Sequence, residues 1–118
     1  MKKYTIKDFD NFKVIDGFKI CPSGDYTEVI VFPDKCKFGV GSKFGGNWHF
    51  FKDGCQFGDD CKFGNNCLFE YDCKFGNNCL FGYKCKFGSN CLFGYNCYFG
   101  YKSKFGNECL FGDNCIIY

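Results

Sequence analysis

The sequence predicts an all-β fold, a single-domain parallel β-solenoid over residues 1–118, and three observations carry that expectation. Apolar residues return at every sixth position, Gly follows most of them, and Asn, Asp or Gly stands two places after that. Regular self-similarity of this kind belongs to chains that stack one short unit on the next. The composition agrees: with 18 Phe, 16 Gly and 12 Cys but neither Ala nor Arg, the chain lacks the best helix former and is rich in strand and turn residues. At 118 residues there is enough chain for one core.

The N-terminal stretch MKKYTIKDFDNFKVIDG has two Lys but no apolar run behind them, so it does not read as a secretory signal. Residues 1–35 read as a divergent N-terminal coil or cap, with residues 1–11 laid over its end. Residues 36–118 read as regular repeats. No stretch approaches the ~18 apolar residues of a membrane span. The expected location is the cytoplasm, where thiols stay reduced.

The repeat has a definite phase. From Phe57 the apolar series steps by six through Phe63, Phe69, Phe75, Phe81, Phe87, Phe93, Phe99, Phe105 and Phe111 to Ile117. Backwards it reaches Phe51, skips one extra residue, and resumes at Phe44, Phe38, Phe32, Tyr26, Ile20 and Val14, which makes 18 hexads. Cys stands two residues before most of these, so in a strand Cys and Phe share the inward face and the residue between them points out. Lys37, Lys43, Lys62, Lys74, Lys86 and Lys104 fill that outward slot. Gly follows the core residue in 11 units, as expected of a tight corner. Residues such as Asp60, Asn66, Asn78 and Asn90 then supply the left-handed backbone that the corner needs.

On these residues the chain resembles the hexapeptide-repeat proteins. FGNNCL and FGYKCK match their order of core residue, Gly, two variable residues, a small residue and one more, with Phe in the aliphatic slot and Cys, Ser42 or Ser103 in the small slot. The match runs well over Phe32–Tyr118 and weakly over Phe12–Val31. The resemblance implies a left-handed helix of triangular section with three hexads per coil, hence about six coils here. Phe at nearly every core position asks for a wider interior, and a 12-residue flat solenoid or a four-sided coil remain alternatives.

The candidate sites follow slot by slot. Eleven of the 12 Cys fall in the inward small slot, Cys21 being the exception, and buried free Cys acts as a small hydrophobe. The five-residue gaps between them and the single His do not make the close pairs of a zinc site. No cofactor and no metal are expected. WHFFKDG is the one unit that breaks the period, and it offers Trp48, His49, Phe50 and Lys52 as a second binding site. The resemblance implies a His general base in acyltransferases and three metal-bound His in related carbonic anhydrases. One His supports neither, so catalytic residues are not expected and an acyltransferase-like enzyme is a distant alternative. Rows of Thr for ice are absent, there being only Thr5 and Thr27.

Sorting the outward slots by 18 residues gives three faces. Asp25, Lys43 and Lys62 lead to Leu80, Tyr98 and Ile116; Lys19, Lys37, Gln56 and Lys74 lead to Leu92 and Leu110; Lys13, Val31, Phe50 and Leu68 lead to Lys86 and Lys104. Val29 and Val31 are both expected to point outward. The apolar C-terminal half, with Tyr83, Tyr95, Tyr101, Ile117 and Tyr118, predicts a protein partner and a homodimer through the C-terminal coils, the more so because CIIY leaves a strand edge open. The expected function is therefore a non-enzymatic protein-binding scaffold or inhibitor. The residues favoured by AT-rich codons and the absence of catalytic groups suit a phage or mobile-element anti-defence protein. Nucleic acid is the alternative partner, held by Tyr83, Lys84, Tyr101 and Lys102. A net charge of +2 without Arg weakens that alternative and counts against an acidic mimic of a duplex.

Overall fold

A computed structural model describes residues 1–118 and places the hexads in three parallel sheets that wind as about six turns of a solenoid, 37 × 28 × 19 Å overall. The first sheet stacks Phe18–Cys21, Cys36–Phe38, Gln56–Phe57, Lys74–Phe75, Leu92–Phe93 and Leu110–Phe111. The second stacks Lys43–Asn47, Lys62–Asn65, Leu80–Phe81, Tyr98–Phe99 and Ile116–Ile117. The third stacks Val31–Phe32, Phe50–Phe51, Leu68–Phe69, Lys86–Phe87 and Lys104–Phe105. Three strands per turn at 18 residues remove the flat and four-sided alternatives, since Lys74 pairs with Leu92, Leu80 with Tyr98, and Lys86 with Lys104.

Phe determines the section of the coil. Within a turn, neighbouring rings meet edge to face, as Phe69 and Phe75 do at 5.0 Å and 83°. Between turns they lie nearly parallel, as in Phe63–Phe81 at 4.8 Å and 4° and Phe69–Phe87 at 4.9 Å and 2°. Both arrangements are favourable for aromatic pairs, and the parallel spacing equals the distance between hydrogen-bonded strands, about 4.8 Å. A three-sided coil therefore closes around three rings per layer, with the Cys thiols filling the gaps; Cys55, Cys61, Cys67, Cys73 and their successors to Cys97 are all buried.

Glycine acts differently from the sequence expectation. The left-handed backbone falls on the Asn/Asp slot, with φ near 60° at Asp60, Asn66, Asn78, Asn90, Asn96 and Asn114. The Gly that follows most of the Phe residues gives clearance between turns, although Lys52 and Glu70 take that slot on the third sheet. A Cβ on Gly100 would stand 2.6 Å from the carbonyl carbon and oxygen of Gly82 in the turn below. The corner is held instead by side chains reaching across turns, with the backbone N–H of Tyr83 and Tyr95 donating to the Oδ1 of Asn65 and Asn77 at 3.0 Å each.

The N-terminal register departs from the six-residue series. Val14 is 64 % exposed rather than in the core, because Asp16-Gly17, both at positive φ, turn Val14–Ile15 back antiparallel on Phe18–Cys21. Asp-Gly is a strong hairpin signal that the search for a six-residue period passes over. The strand that follows is shifted by one: Cys21 pairs with Phe38 and Ile20 with Lys37, so Cys21 takes the core slot expected for Ile20, which is only half-buried. Lys19 and Lys13 consequently leave the outward rows, and the Lys19 Nζ donates to the Phe9 carbonyl at 2.7 Å. Val29 is buried at 2 %, not outward, since 26–29 form a turn in which its N–H bonds to the Tyr26 carbonyl and strand alternation does not apply. Val31 is exposed. Over this end lies the 3-10 helix Ile6–Asn11, which sets Phe9 against Tyr26 and Phe32.

Candidate functional site

The candidate residues expected from the sequence gather in two places. On the second sheet, Leu80, Tyr98 and Ile116 are in register on successive turns and exposed. Leu92 and Leu110 pair on the adjoining sheet, also exposed, and Tyr95 stands on the corner between the two sheets. Tyr83 and Tyr101 occupy the opposite corner of the second sheet with rings 5.3 Å apart, while Tyr118 meets Tyr98 edge to face at 5.2 Å. The C-terminal apolar residues expected from the sequence thus form one lateral surface across a face, its neighbour and both corners. Ile117 belongs elsewhere. It follows the inward column of Phe81 and Phe99 and is exposed, like Phe111, only because no coil lies over it.

The irregular unit forms the second place. Between Phe44 and Asn47 two residues stand where Gly64 alone stands in the next turn, a bulge with Gly46 at φ 78°. The extra residue puts His49 in the small inward slot that Cys fills elsewhere. Its ring is 1 % exposed, with Nδ1 2.7 Å from the Val29 carbonyl oxygen and Nε2 2.6 Å from that of Gly45. Both nitrogens lie against backbone carbonyl oxygens, and the N–H that the ring carries donates to one of them, so the buried histidine fastens the bulge from inside. Counting back six from Cys55 would have found this slot. Trp48 lies outside, 66 % exposed, and Phe50 beside it is half-buried; Lys52 is exposed on the following corner. Of the four residues expected at this site, Trp48 and Phe50 share a surface and His49 does not reach it.

The Cys columns contain no convergent set of three His, Cys, Asp or Glu side chains suited to a metal ion, and all 12 Cys are free. Nine thiols donate to a carbonyl of the preceding turn, as the Cys97 Sγ does to Gly76 at 3.4 Å, whereas Cys67 donates to the nearby Gly64 carbonyl at 3.6 Å. Cys36 and Cys79 are pushed up to about 12, first by hydrogen bonding with Cys21 and with the stacked Cys61 respectively, and then by burial. Cys55, Cys67, Cys73 and Cys97 are raised for the same first reason, and burial raises Cys109 and Cys115. Cys61, Cys85 and Cys91 move down, because the S–H of Cys79, Cys67 and Cys73 steadies their thiolates.

Burial pushes all eleven of these thiols up, whichever partner of a pair the shared S–H favours, and that gives the balance a sign. The folded chain keeps protons that the unfolded chain releases near the ordinary thiol value of about 8.5. This stabilisation is complete below that pH and is lost as pH rises toward 12. Urea unfolding under reducing conditions should therefore show stability falling between pH 8.5 and 10 by about 1.4 kcal/mol per pH unit for each proton retained on balance. A flat profile over that interval would contradict the burial of the ladder.

These features define the class of the protein: a three-sided parallel β-solenoid built on a six-residue repeat, 18 residues to the turn. No family model, no curated protein and no solved structure matches the chain. No helix is long and apolar enough to cross a membrane.

Proposed function

We propose that the chain is a non-enzymatic protein-binding scaffold that self-associates through the side of its C-terminal turns and engages another protein, as an inhibitor in a phage or mobile-element setting would. A relationship to the hexapeptide-repeat proteins is part of this proposal, supported by the three-hexad turn. The observation that carries the reading is the column Leu80–Tyr98–Ile116, in register and exposed, with Leu92, Leu110 and four tyrosines around it. Contiguous apolar surface rich in Tyr is what the centre of an interface is made of. A solenoid holds it on strands pinned by turn-to-turn hydrogen bonds, so little order has to be gained on binding.

Light scattering over a concentration series should show a dimer or larger. The double variant Tyr98→Lys with Ile116→Lys should weaken association at least about a hundredfold, from roughly 1.5–2 kcal/mol for each central side chain. Both side chains are exposed, so the variant keeps its fold, and circular dichroism checks this. A wild-type chain that stays monomeric at high concentration overturns the self-association.

A further inference from the structure

The corner between the second and third sheets carries a column that breaks the rule of its slot. At the left-handed position most turns use Asn, Asp or Gly, which tolerate positive φ. In this column stand Trp48 at φ 67°, Asn66, Lys84 at φ 57° and Lys102 at φ 61°. Only Lys35 and Glu108, on a different corner, and Asp16 in the hairpin share the slot's backbone with such variety. A bulky Trp in this conformation is an outlier, and strain of this kind is kept where surrounding structure imposes it and function uses it.

Beside this column runs the outward row of the third sheet, Leu68, Lys86 and Lys104, paired in register. Together the two rows line a groove of about 350 Å³ formed by Trp48, Asn66, Leu68, Lys84, Lys86, Lys102 and Lys104, with no acidic side chain in its wall. Like charges directly opposite on paired strands repel. The other in-register lysine pair, Lys43 and Lys62, has Asp25 paired with Lys43 in the same row, whereas Lys86 and Lys104 have no acid in the groove. The repulsion is thus unrelieved in the free protein, and an anion would relieve it.

We propose that this groove binds a nucleotide. Its phosphoryl groups sit over the square of Lys84, Lys86, Lys102 and Lys104, and its base lies against Trp48. Trp48 is two turns below Lys84, about 10 Å at the spacing of stacked strands, which leaves room for the sugar between ring and phosphates. Asn66 and Leu68 form the intervening floor. The volume is that of a small-molecule site rather than of a track for a polymer. Four lysines confined to two turns, in a chain of net charge +2 without Arg, do not continue into a groove that could follow a strand.

Trp48 is the only Trp in the chain, so its fluorescence reports on the ring seat directly. ATP at low salt should quench it saturably, inorganic pyrophosphate should reverse the quench by competition without quenching on its own, and Lys84→Gln with Lys102→Gln should raise the apparent Kd at least tenfold. Calorimetry on Trp48→Ala should show weaker ATP binding with pyrophosphate binding unchanged. Absence of saturable quenching at millimolar ATP, or quenching indifferent to the lysine variant or to pyrophosphate, overturns the proposal. So does a thymidine oligonucleotide that binds more tightly than ATP, which would make the groove a strand site. None of these residues lies in the apolar column, and light scattering on each variant reads dimerisation separately from ATP binding, so failure of one proposal is distinguishable from failure of the other.

Discussion

Gly100→Ala is expected to destabilise the protein by about 3 kcal/mol, the upper end of what overpacking costs. The reason is clearance between turns, since the new methyl would meet the carbonyl carbon and oxygen of Gly82 at 2.6 Å and the Tyr83 nitrogen at 2.7 Å. All three are backbone atoms fixed in the ladder, with the Gly100 N–H donating to the Phe81 carbonyl at 3.0 Å. Nothing flexible can yield, so turns must separate locally and lose both hydrogen bonds and ring stacking. Gly45, Gly64 and Gly82 precede Gly100 in the same column, while Thr27 and Tyr118 stand at the two ends, so the interior turns are the ones that use glycine. Gly41→Asn is the control. Gly41 has φ 74°, a Cβ there would meet nothing within 4 Å, and Asn is what that slot holds elsewhere. It should change stability by less than about 0.5 kcal/mol. Denaturant midpoints for the two variants separate the roles of glycine, and equal losses would overturn the clearance argument, since only Gly41 is at positive φ.

This pair of positions shows what could be read from the chain alone. Periodicity locates the core at once, because Phe51 through Phe111 keep one phase and the aromatic stack follows from that phase. It also places Leu80, Tyr98 and Ile116 on one face, since 18-residue addition is all that register requires. It does not say why Gly follows Phe, because a close approach between turns leaves the same residue as a left-handed φ. The first turn was illegible for a different reason. The Asp16-Gly17 hairpin shifts the strand behind it by one residue, and no count of sixes reveals a local turn that outweighs the repeat. His49 was legible in principle, through its phase with Cys55, but a ring in a slot sized for a thiol makes sense only once the bulge is seen to widen it. The lysine groove needed the fold as well: Lys84 and Lys86 are near in sequence, yet Trp48 joins them only through two turns of stacking.

Phe69→Ala should be as damaging as any single side-chain truncation in the molecule, at about 3–5 kcal/mol. Phe69 stacks on Phe51 at 4.7 Å and on Phe87 at 4.9 Å, and meets Phe57, Phe63, Phe75 and Phe81 edge-on. Removing the ring leaves a cavity bounded by strands that cannot collapse into it, since turn-to-turn bonds such as Glu70 N–H to the Phe51 carbonyl at 3.0 Å hold the walls apart. That loss is a large share of the roughly 5–15 kcal/mol typical of a whole domain. Phe69→Leu should cost about 1–2 kcal/mol, because an aliphatic side chain refills much of the space but loses the stacking geometry. The cost must also depend on height in the stack, because a solenoid's stability is close to a sum over neighbouring turns. Phe111→Ala, at a ring already 37 % exposed and stacked on one side only, on Phe93, should therefore cost well under half as much as Phe69→Ala. Urea unfolding of the three variants measures this gradient directly. If Phe111→Ala proved as costly as Phe69→Ala, the last turn would have to be buried in solution, and the assembly would run end to end rather than side by side.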